Sequence, residues 1–380
     1  TPLYSSAASD VYKRQAEHSG VGYLYTQLHQ GDQLSNTHAL LVSGPTSKFE
    51  KAEMPLRPIG SDGVHIKILY SGICHSDIHQ ARNEWFEGIF PMVPGHEIAG
   101  EVIGVGTNVT KFKVGDRVGV GTFVDSCRKC EYCLEGNENY CLKGNVQTYN
   151  GRHYDQAPTY GGYAKEIVVD QNYVLTIPKN LDLAEAAPLL CAGVTVYSPL
   201  HHWKVSPGKK VAILGLGGLG HMAVKFAVAM GADVYVLGRS KAKEADAKEF
   251  GAKSYLLTLD AVETHKNFFD MILNTTSSSA DNDALLGMLR VGGSLVYVGL
   301  AGEPQSFDPF SLVTGLKSIG GSNTGGIALT QQMLDFCGEK NIASTIEILD
   351  VSDAKTVDSA YDRVVGSDVR YRFVIDASTI

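Results

Sequence analysis

A short stretch, Cys74–His79, holds a cysteine, two histidines, a serine and an aspartate, all of which can bind a metal or carry a proton. His96 and Glu97 follow it, and Cys191 stands much farther along the chain. Two thiolates and one imidazole, with a fourth position left open or exchangeable, form a catalytic zinc site, because a substrate oxygen can occupy that position. We therefore predict that Cys74, His96 and Cys191 bind a catalytic zinc ion, with Glu97 beside it.

Four further cysteines stand close together, at Cys127, Cys130, Cys133 and Cys141. Thiolates at such short spacings can close a tetrahedron around one ion, and a closed four-cysteine site binds zinc structurally. The main alternative is an iron–sulfur cluster, whose usual run places the fourth cysteine nearer to the third and directly before a proline. Here the gap is longer and Leu142 follows the last cysteine. The spacing therefore favours a structural zinc ion over a cluster or unligated thiols.

A glycine loop, Gly215–Gly220, follows an apolar strand at 210–214 and opens a helix that runs to Met230. In this context, glycines let the backbone approach a pyrophosphate, and the helix N-terminus favours its negative charge. The predicted cofactor contacts in the loop are Gly215, Gly217, Gly218, Leu219 and Gly220. A tight structural turn is the alternative, and the strand–turn–helix context favours dinucleotide binding over it.

The end of the next strand decides between the two nicotinamide cofactors. NAD sites usually carry a carboxylate about 20 residues after the loop, and it binds the ribose 2′-hydroxyl. This chain instead has Arg239, Ser240 and Lys241, two cations around a hydroxyl. Because positive charge suits a 2′-phosphate, we predict NADP(H) rather than NAD(H). The other interpretation is that the two cations only cover a solvated helix start.

The spacing of strands and helices divides the chain into parts. Residues 37–185 are dense in short strands without intervening helices, which is typical of a small β-barrel. Strands and helices alternate over 186–329, which predicts a doubly wound parallel sheet. Residues 330–380 are expected to return to the barrel domain, which also carries the cysteine lobe at about 125–142. Residues 1–36 are interpreted as a leader, disordered or partly artefactual.

The composition excludes several classes of partner. The net charge is −8, and no basic stripe is visible, which argues against a nucleic-acid binder or a binder of anionic membranes. No apolar run approaches the roughly 20 residues of a membrane span, and no secretory signal is recognised. Seven cysteines, most of them at metal spacing, fit a reducing compartment, so a cytoplasmic location is expected.

Several motifs match one family closely. They are Gly72–His79, Pro94–Glu97, the four-cysteine lobe, Tyr160–Ala164, Pro188–Gly193 and the glycine loop. Over residues 37–380 the chain resembles the zinc-dependent medium-chain alcohol dehydrogenases, and most of all the cinnamyl alcohol dehydrogenase branch. The resemblance implies a GroES-like barrel domain interrupted by a Rossmann domain, with the active site in the cleft between them. It also implies a cytosolic homodimer that interconverts primary alcohols and aldehydes with NADP(H), mainly as an aldehyde reductase.

The resemblance also implies roles for individual residues. Cys74, His96 and Cys191 match the ligands of the catalytic zinc, and Glu97 matches the acidic neighbour that can replace water on the metal. Asp77 matches the carboxylate that orients the liganding histidine. The remaining positions are two members of a proton relay, Ser76 and His79, and a contact near the cofactor pyrophosphate, His75.

Two positions depart from the family pattern. Gly238 stands where relatives often have a serine near the 2′-phosphate, so Arg239 is expected to replace that contact. Val146 stands where lignin-pathway members have a tryptophan in the substrate pocket, which puts a bulky cinnamyl substrate in doubt. The candidates for the substrate pocket are Gln80, Trp85 and Val146, and for Trp85 simple packing is an equal alternative.

Three other functions stay open at this point. A zinc-bearing NADPH reductase of another unsaturated or imine substrate would share the cofactor but use less of the relay. A non-catalytic nucleotide-binding relative would keep the fold, although it has no need for an open metal position. A zinc-ribbon nucleic-acid binder is disfavoured by the acidic charge balance.

Overall fold

The computed structural model describes residues 35–380, so most of the predicted leader lies outside the described residues. The first strand begins at Asn36, just before the expected start of the fold at Thr37. The reason is local, because the Ser35 carbonyl already accepts a hydrogen bond of 2.8 Å from the Leu56 N–H.

The strands fall into an N-terminal group, a central group and a C-terminal pair. The N-terminal strands are β1 (Asn36–Leu41), β2 (Glu50–Pro55), β3 (Gly63–Gly72), β4 (Ile98–Val105), β5 (Arg117–Val120), β6 (Phe123–Asp125), β7 (Val146–Gln147), β8 (Glu166–Asp170) and β9 (Leu175–Thr176). The central strands are β10 (Lys210–Leu214), β11 (Asp233–Gly238), β12 (Ser254–Leu257), β13 (Phe269–Asn274), β14 (Leu289–Tyr297) and β15 (Ser318–Gly321). The C-terminal pair is β16 (Ile346–Leu349) and β17 (Arg372–Asp376).

Five of the N-terminal strands join the C-terminal pair in one seven-stranded sheet, in the order β16-β17-β3-β4-β5-β9 with β8 paired to β3. The other N-terminal strands form two separate two-stranded sheets, β1-β2 and β6-β7. β3 pairs antiparallel with β4, β8 and β17. Its residues alternate as its sequence predicts, since Val64, Ile66 and Ile68 are buried while Lys67 is exposed. The pairing of β17 with β3 returns the end of the chain to the strand that precedes Cys74.

The central strands form a six-stranded parallel sheet in the order β12-β11-β10-β13-β14-β15. This order is that of a doubly wound dinucleotide-binding sheet, in which ligands bind at the carboxyl ends of the strands where the order reverses. The reversal lies between β10 and β13. The predicted fold class, a barrel domain interrupted by a Rossmann domain, is confirmed.

The helices lie at His75–Ala81, Glu131–Leu134, Leu183–Ala186, Ala192–His202, Gly218–Ala229, Glu244–Glu249, Thr258–Thr264, Asn282–Met288, Phe310–Val313, Ile327–Lys340 and Lys355–Val365. The alternation of strands and helices in the sequence predicts one helix from Lys241 to Phe250, but the structure divides it into a 3-10 turn, Lys241–Lys243, and the helix Glu244–Glu249. The predicted boundary between residues 329 and 330 falls inside the continuous helix Ile327–Lys340. The exact domain boundaries stay predictions.

One apolar core joins the two domains. Ala99 of β4 and Leu175 of β9 belong to the same buried cluster as Val211 of β10 and Phe226 of the helix Gly218–Ala229. Because this packing is continuous, it holds the parallel sheet against the barrel domain, whose strands β3 and β4 flank the predicted metal ligands Cys74 and His96.

Within residues 35–380, no single helix is both long and apolar enough to cross a membrane. One bent pair, Leu183–Leu190 with Ala192–His202, meets the length and composition criteria only when both pieces are taken together across a 56° bend.

Candidate active site

Cys74 stands at the junction between β3 and the helix His75–Ala81. Its backbone N–H donates a hydrogen bond of 2.8 Å to Asp77 Oδ2, which caps the first turn of the helix. This local contact fixes the direction in which the Cys74 side chain leaves the backbone, and it buries the Asp77 carboxylate at the same time.

His96 and Glu97 stand directly before β4, after a glycine that the backbone requires. Gly95 has a φ of 104°, and a Cβ atom at this position would lie 2.6 Å from the Tyr163 ring. Gly72 is required for a different reason, because a Cβ atom there would lie 2.0 Å from Glu97 Oε2. The two glycines therefore let His96 and Glu97 turn into the space in front of β3.

Cys191 completes the group from the other side of the cleft, between a 3-10 turn at Ala187–Leu190 and the helix Ala192–His202. Its Sγ lies 4.0 Å from Cys74 Sγ. One ligand atom from each of Cys74, His96, Glu97 and Cys191 lies within 4.8 Å of the others, and all four residues are buried. The structure thus brings together the four side chains that the sequence predicts as the catalytic zinc site.

The chemistry of this donor set fits a zinc ion. The hydrogen bond between the two thiols is the largest of the influences that lower the pKa of Cys74 well below its ordinary value, so one sulfur is ready to act as a thiolate. Glu97 Oε2 is buried and has no hydrogen-bond partner among the described residues. A bound cation would satisfy that oxygen and both sulfurs.

Asp77 lies against His96, the histidine that the family resemblance expects it to orient. Its Oδ1 lies 3.0 Å from His96 Nδ1 and also accepts the Gly95 N–H at 3.2 Å. The Tyr163 hydroxyl donates to its Oδ2 at 3.3 Å. With Nδ1 bonded to a carboxylate, the imidazole presents Nε2 to the metal position.

Arg372 is a site residue that sequence reasoning missed. The first residue of β17, it donates a short hydrogen bond to Glu97 Oε1, and both side chains are buried, with Arg372 7% and Glu97 0% exposed. Burial raises the pKa of Glu97 to about 7, and the positive charge of Arg372 limits the rise. A Cβ atom on Gly218 would lie 3.0 Å from Arg372 Nη1, so this guanidinium also touches the glycine loop.

Of the two predicted relay residues, Ser76 lies beside the ligand group and His79 lies nearer to the surface of the same helix. Ser76 Oγ is 3.5 Å from Cys74 Sγ. His79 Nδ1 makes a short hydrogen bond with the Glu84 carboxylate, and the His79 ring stacks on Trp85 with centroids 4.6 Å apart. Sequence reasoning missed Glu84, which is exposed and connects His79 to solvent. No sequence signal marks this pair, because side chains on a helix meet at spacings of three or four residues and these two are five apart.

His75, predicted near the pyrophosphate, is exposed and stacks on His79 with centroids 5.5 Å apart. The predicted substrate-pocket residues have different neighbours. Gln80 accepts a hydrogen bond of 2.9 Å from Asn150 Nδ2, Trp85 covers His79, and Val146 lies in the barrel core. Their contact with a substrate stays a prediction.

The four-cysteine lobe is also assembled. One sulfur from each of Cys127, Cys130, Cys133 and Cys141 lies within 4.8 Å of the others. Backbone N–H groups of Lys129 and Cys130 lower the pKa of Cys127 to about 6. A thiolate is therefore favoured at this position, as a closed structural zinc site requires.

The glycine loop has the geometry of a nucleotide-binding turn. Gly215 has a φ of 89°, and its N–H donates to the Leu237 carbonyl at 2.9 Å. A Cβ atom on Gly220 would lie 2.2 Å from the Gly215 carbonyl oxygen, so only glycine lets the helix pack this close to β10. Gly217 faces open space, because a Cβ atom there would meet nothing within 4 Å.

The predicted 2′-phosphate residues lie at the end of β11. Arg239, Ser240 and Lys241 are exposed, and neither cation forms a salt bridge within the described part of the chain. Lys243, which sequence reasoning did not single out, donates from Nζ to the Leu216 carbonyl of the glycine loop at 2.8 Å. The cations thus surround the carboxyl end of the strand where an adenosine ribose binds in this kind of sheet.

Comparison with known proteins identifies both domains of the chain. Residues 60–179 match the family model of the alcohol dehydrogenase GroES-like domain, and residues 218–339 match that of the zinc-binding dehydrogenase. A probable formaldehyde dehydrogenase AdhA of Bacillus subtilis is 56% identical over 346 residues, covering 90% of this chain and 98% of the relative. An NADP-dependent alcohol dehydrogenase C 1 of Mycolicibacterium smegmatis is 50% identical over 350 residues, covering 91% and 99%.

Two solved structures of cinnamyl alcohol dehydrogenases resemble this one over nearly their whole length. That of SbCAD4 from Sorghum bicolor has a TM-score of 0.86 at 42% identity, covering 90% of this chain and 98% of the other. That from Helicobacter pylori, complexed with NADP(H), has a TM-score of 0.85 at 41% identity, covering 91% and 99%.

The fold and the two ligand groups define a two-domain, zinc-binding dehydrogenase. The chain belongs to the zinc-dependent medium-chain alcohol dehydrogenases, in the cinnamyl alcohol dehydrogenase branch. It is an enzyme of that class, which sets aside the non-catalytic and nucleic-acid-binding alternatives.

Proposed function

We propose that this enzyme catalyses the reversible, NADP(H)-linked oxidation of primary alcohols to aldehydes and acts mainly as an aldehyde reductase. The observation that carries the proposal is the convergence of Cys74, His96, Glu97 and Cys191 beside the glycine loop, with Arg372 touching both. A metal held by this ligand group has an exchangeable position that a substrate oxygen can occupy, and the glycine loop can bind a dinucleotide cofactor. Their proximity supports hydride transfer at a carbon attached to that oxygen.

When bound, zinc supplies a Lewis acid for the substrate oxygen and NADP(H) supplies or accepts the hydride. The protein holds the reacting groups in register and handles the proton. Ser76 Oγ, 3.5 Å from Cys74 Sγ, is placed to give a proton to the substrate oxygen during reduction or to take one during oxidation. We assign the final exchange of a proton with solvent to His79, whose Nδ1 bonds the exposed carboxylate of Glu84.

The preference for NADP(H) rests on the end of β11. The strand ends in a glycine where NAD sites carry a carboxylate, and the next residues, Arg239–Lys241, are exposed and carry two cations. The Mycolicibacterium relative is named as NADP-dependent, and the Helicobacter structure was solved with NADP(H). Both observations support the same preference here.

The substrate is proposed at the level of a class, aromatic, allylic or aliphatic aldehydes. Names of relatives point to different substrates, because they include a formaldehyde dehydrogenase, a cinnamyl alcohol dehydrogenase and a mannitol dehydrogenase, each given as probable. Val146 is small and buried, which fits a pocket without the aromatic stacking expected for a cinnamyl ring.

We also propose a homodimer that works in the cytoplasm. β15 is an edge strand of the six-stranded sheet, and Phe310, Val313 and Leu316 near it are exposed apolar residues. A second copy of the chain would cover such a surface. Seven cysteines without a disulfide fit a reducing compartment. Light scattering of the purified enzyme tests the dimer, since the chain mass is 40.9 kDa.

The deciding experiment is a panel of aliphatic, aromatic and allylic aldehydes, assayed with NADPH and with NADH on zinc-replete protein. The proposal expects aldehyde-dependent oxidation of NADPH, with a higher kcat/KM for NADPH than for NADH. Turnover confined to imines or to carbon–carbon double bonds would favour the other reductase function. Equal kcat/KM values for the two cofactors would contradict the assignment of NADP(H).

A further inference from the structure

Gly238 is the last residue of β11 and pairs with Leu257 of β12. It occupies the strand end at which an NAD site presents its carboxylate to the ribose. Its φ lies outside the left-handed region, so the backbone does not demand glycine here. Glycine is required here by a neighbouring side chain, because a Cβ atom at this position would lie 1.8 Å from the Tyr255 hydroxyl oxygen and 2.4 Å from Tyr255 Cζ.

Tyr255 is held in that place by its own contacts. It lies half-buried on β12, and its hydroxyl donates a hydrogen bond of 2.7 Å to the Ser240 carbonyl. Thr258 Oγ1 donates to the Gly238 carbonyl at 3.2 Å, so the same turn is held from a second side. The phenol therefore does two things at once, filling the side-chain space of residue 238 and fixing the backbone between Arg239 and Lys241.

We propose that Tyr255 is a cofactor-specificity residue that acts through position rather than through charge. Its ring excludes any side chain at residue 238, including the carboxylate that would bind a free ribose 2′-hydroxyl. The hydrogen bond from its hydroxyl to the Ser240 carbonyl fixes the backbone so that the side chains of Arg239 and Lys241 stay accessible to a 2′-phosphate. The inference rests on the proposed NADP(H) function and adds a residue that is distant in sequence from the glycine loop.

The first test measures packing without any cofactor. Gly238→Ala forces a methyl group against the phenol, so the midpoint of thermal unfolding should fall, and the second change Tyr255→Ala should recover part of that loss. Thr258→Val is the matched control, because it removes a hydrogen bond to the same turn but does not vacate the space at residue 238. If Gly238→Ala is fully tolerated beside Tyr255, the exclusion does not exist and the inference is wrong.

The second test measures dissociation constants for NADPH and NADH by the fluorescence of the bound nucleotide. Tyr255→Phe keeps the ring but loses the bond to Ser240, so NADPH binding should weaken by about threefold to tenfold, the value of one hydrogen bond. NADH binding should stay unchanged, because NADH carries no 2′-phosphate. A purely structural role would weaken both nucleotides alike, and that result would overturn the proposal.

The third test is a cycle of Gly238→Asp and Tyr255→Ala. Gly238→Asp alone should lose NADPH affinity without gaining NADH affinity, because the phenol occupies the space that the carboxylate needs. Together, the two changes should reverse the preference toward NADH. If the effects of the two substitutions on nucleotide affinity are additive, and the wild type prefers NADPH, only the role of Tyr255 is rejected. A wild type that prefers NADH would reject the proposed cofactor, and this inference with it.

Discussion

Arg372 and Glu97 form a buried ion pair that joins the catalytic ligand group to the glycine loop. The Arg372 guanidinium donates to Glu97 Oε1, while Glu97 Oε2 is left without a hydrogen-bond partner among residues 35–380. Arg372 also lies against Gly218, where an added Cβ atom would come within 3.0 Å of Nη1. One cation therefore holds a carboxylate beside the metal position and also lies where a cofactor pyrophosphate approaches its loop.

Removal of Arg372 should destabilise the protein strongly. Arg372→Met leaves the Glu97 carboxylate buried and unpaired, which costs about 3–5 kcal/mol when a buried pair is broken. Urea unfolding should show a lower free energy of unfolding, and the double variant Arg372→Met with Glu97→Gln should recover most of it. Equal stability of Arg372→Met and wild type would mean that the ion pair has no structural role.

Asp77→Asn should weaken the catalytic zinc without affecting the lobe. The variant keeps the shape of the side chain but loses the charge that orients His96, and loss of such a partner typically lowers metal affinity about 10-fold to 100-fold. Competition with a chelator, followed by zinc analysis, measures the effect. Asp353→Asn changes an exposed aspartate and serves as the control. Unchanged zinc retention in Asp77→Asn would contradict the orienting role.

His79→Ala should lower kcat by about 100-fold, the lower end of the range for an acid–base group, because it removes the side chain that exchanges the proton with solvent. Both zinc ions should stay bound. Glu84→Gln should lower kcat in the same direction but less. Glu87→Gln alters an exposed carboxylate on the same segment and should leave kcat unchanged. The aldehyde KM should stay near that of wild type in all three variants. Zinc loss from His79→Ala would mean that this histidine is not a relay residue.

Acid should destabilise the enzyme through His221, which is buried in the helix that follows the glycine loop. Burial lowers the pKa of His221 from 6.5 to about 3. Below pH 6.5 the imidazole of His221 is therefore protonated in the unfolded chain but stays neutral in the folded protein. Its contribution to the free energy of unfolding is complete above pH 6.5 and is lost as the pH drops toward 3.

The expected slope from His221 is about 1.4 kcal/mol of unfolding free energy per pH unit in that window. Gln in its place can still accept the Thr345 N–H, which now bonds to Nε2 at 3.2 Å. Urea unfolding between pH 7 and pH 5 should thus show a shallower slope for His221→Gln than for wild type. His202→Gln, at an exposed position, is the control. Identical slopes for wild type and His221→Gln would refute the assignment.

The sequence predicts the parts of the site that depend on local spacing. The four-cysteine lobe, the Cys74–His79 stretch and the glycine loop each carry their ligands within a short segment, so residue types and gaps suffice to recognise them. Cys191 is distant but stands in a motif of its own. The structure brings these segments together as the sequence predicts.

The residues that the sequence does not reveal are those defined by a neighbour far along the chain. Arg372 lies 275 residues from Glu97, and nothing near it marks it as more than a polar residue at the start of an apolar strand. Tyr255 matters because it overlaps the side-chain space of Gly238, which only three-dimensional packing determines. The helix predicted from Lys241 begins instead with a 3-10 turn, Lys241–Lys243, a form that is frequent at the N-termini of α-helices and that residue types alone do not distinguish.

The most direct test of the catalytic site compares Cys191→Ser with Cys133→Ser, measuring zinc per chain, NADPH binding and NADPH-dependent aldehyde reduction on the same preparations. Cys191→Ser should lose one of two zinc ions and all measurable aldehyde reduction, while it still binds NADPH. Cys133→Ser should also lose one zinc ion and some stability, but the folded fraction should keep its turnover. Full zinc content or near-normal aldehyde reduction in Cys191→Ser would contradict a catalytic metal at Cys74, His96 and Cys191.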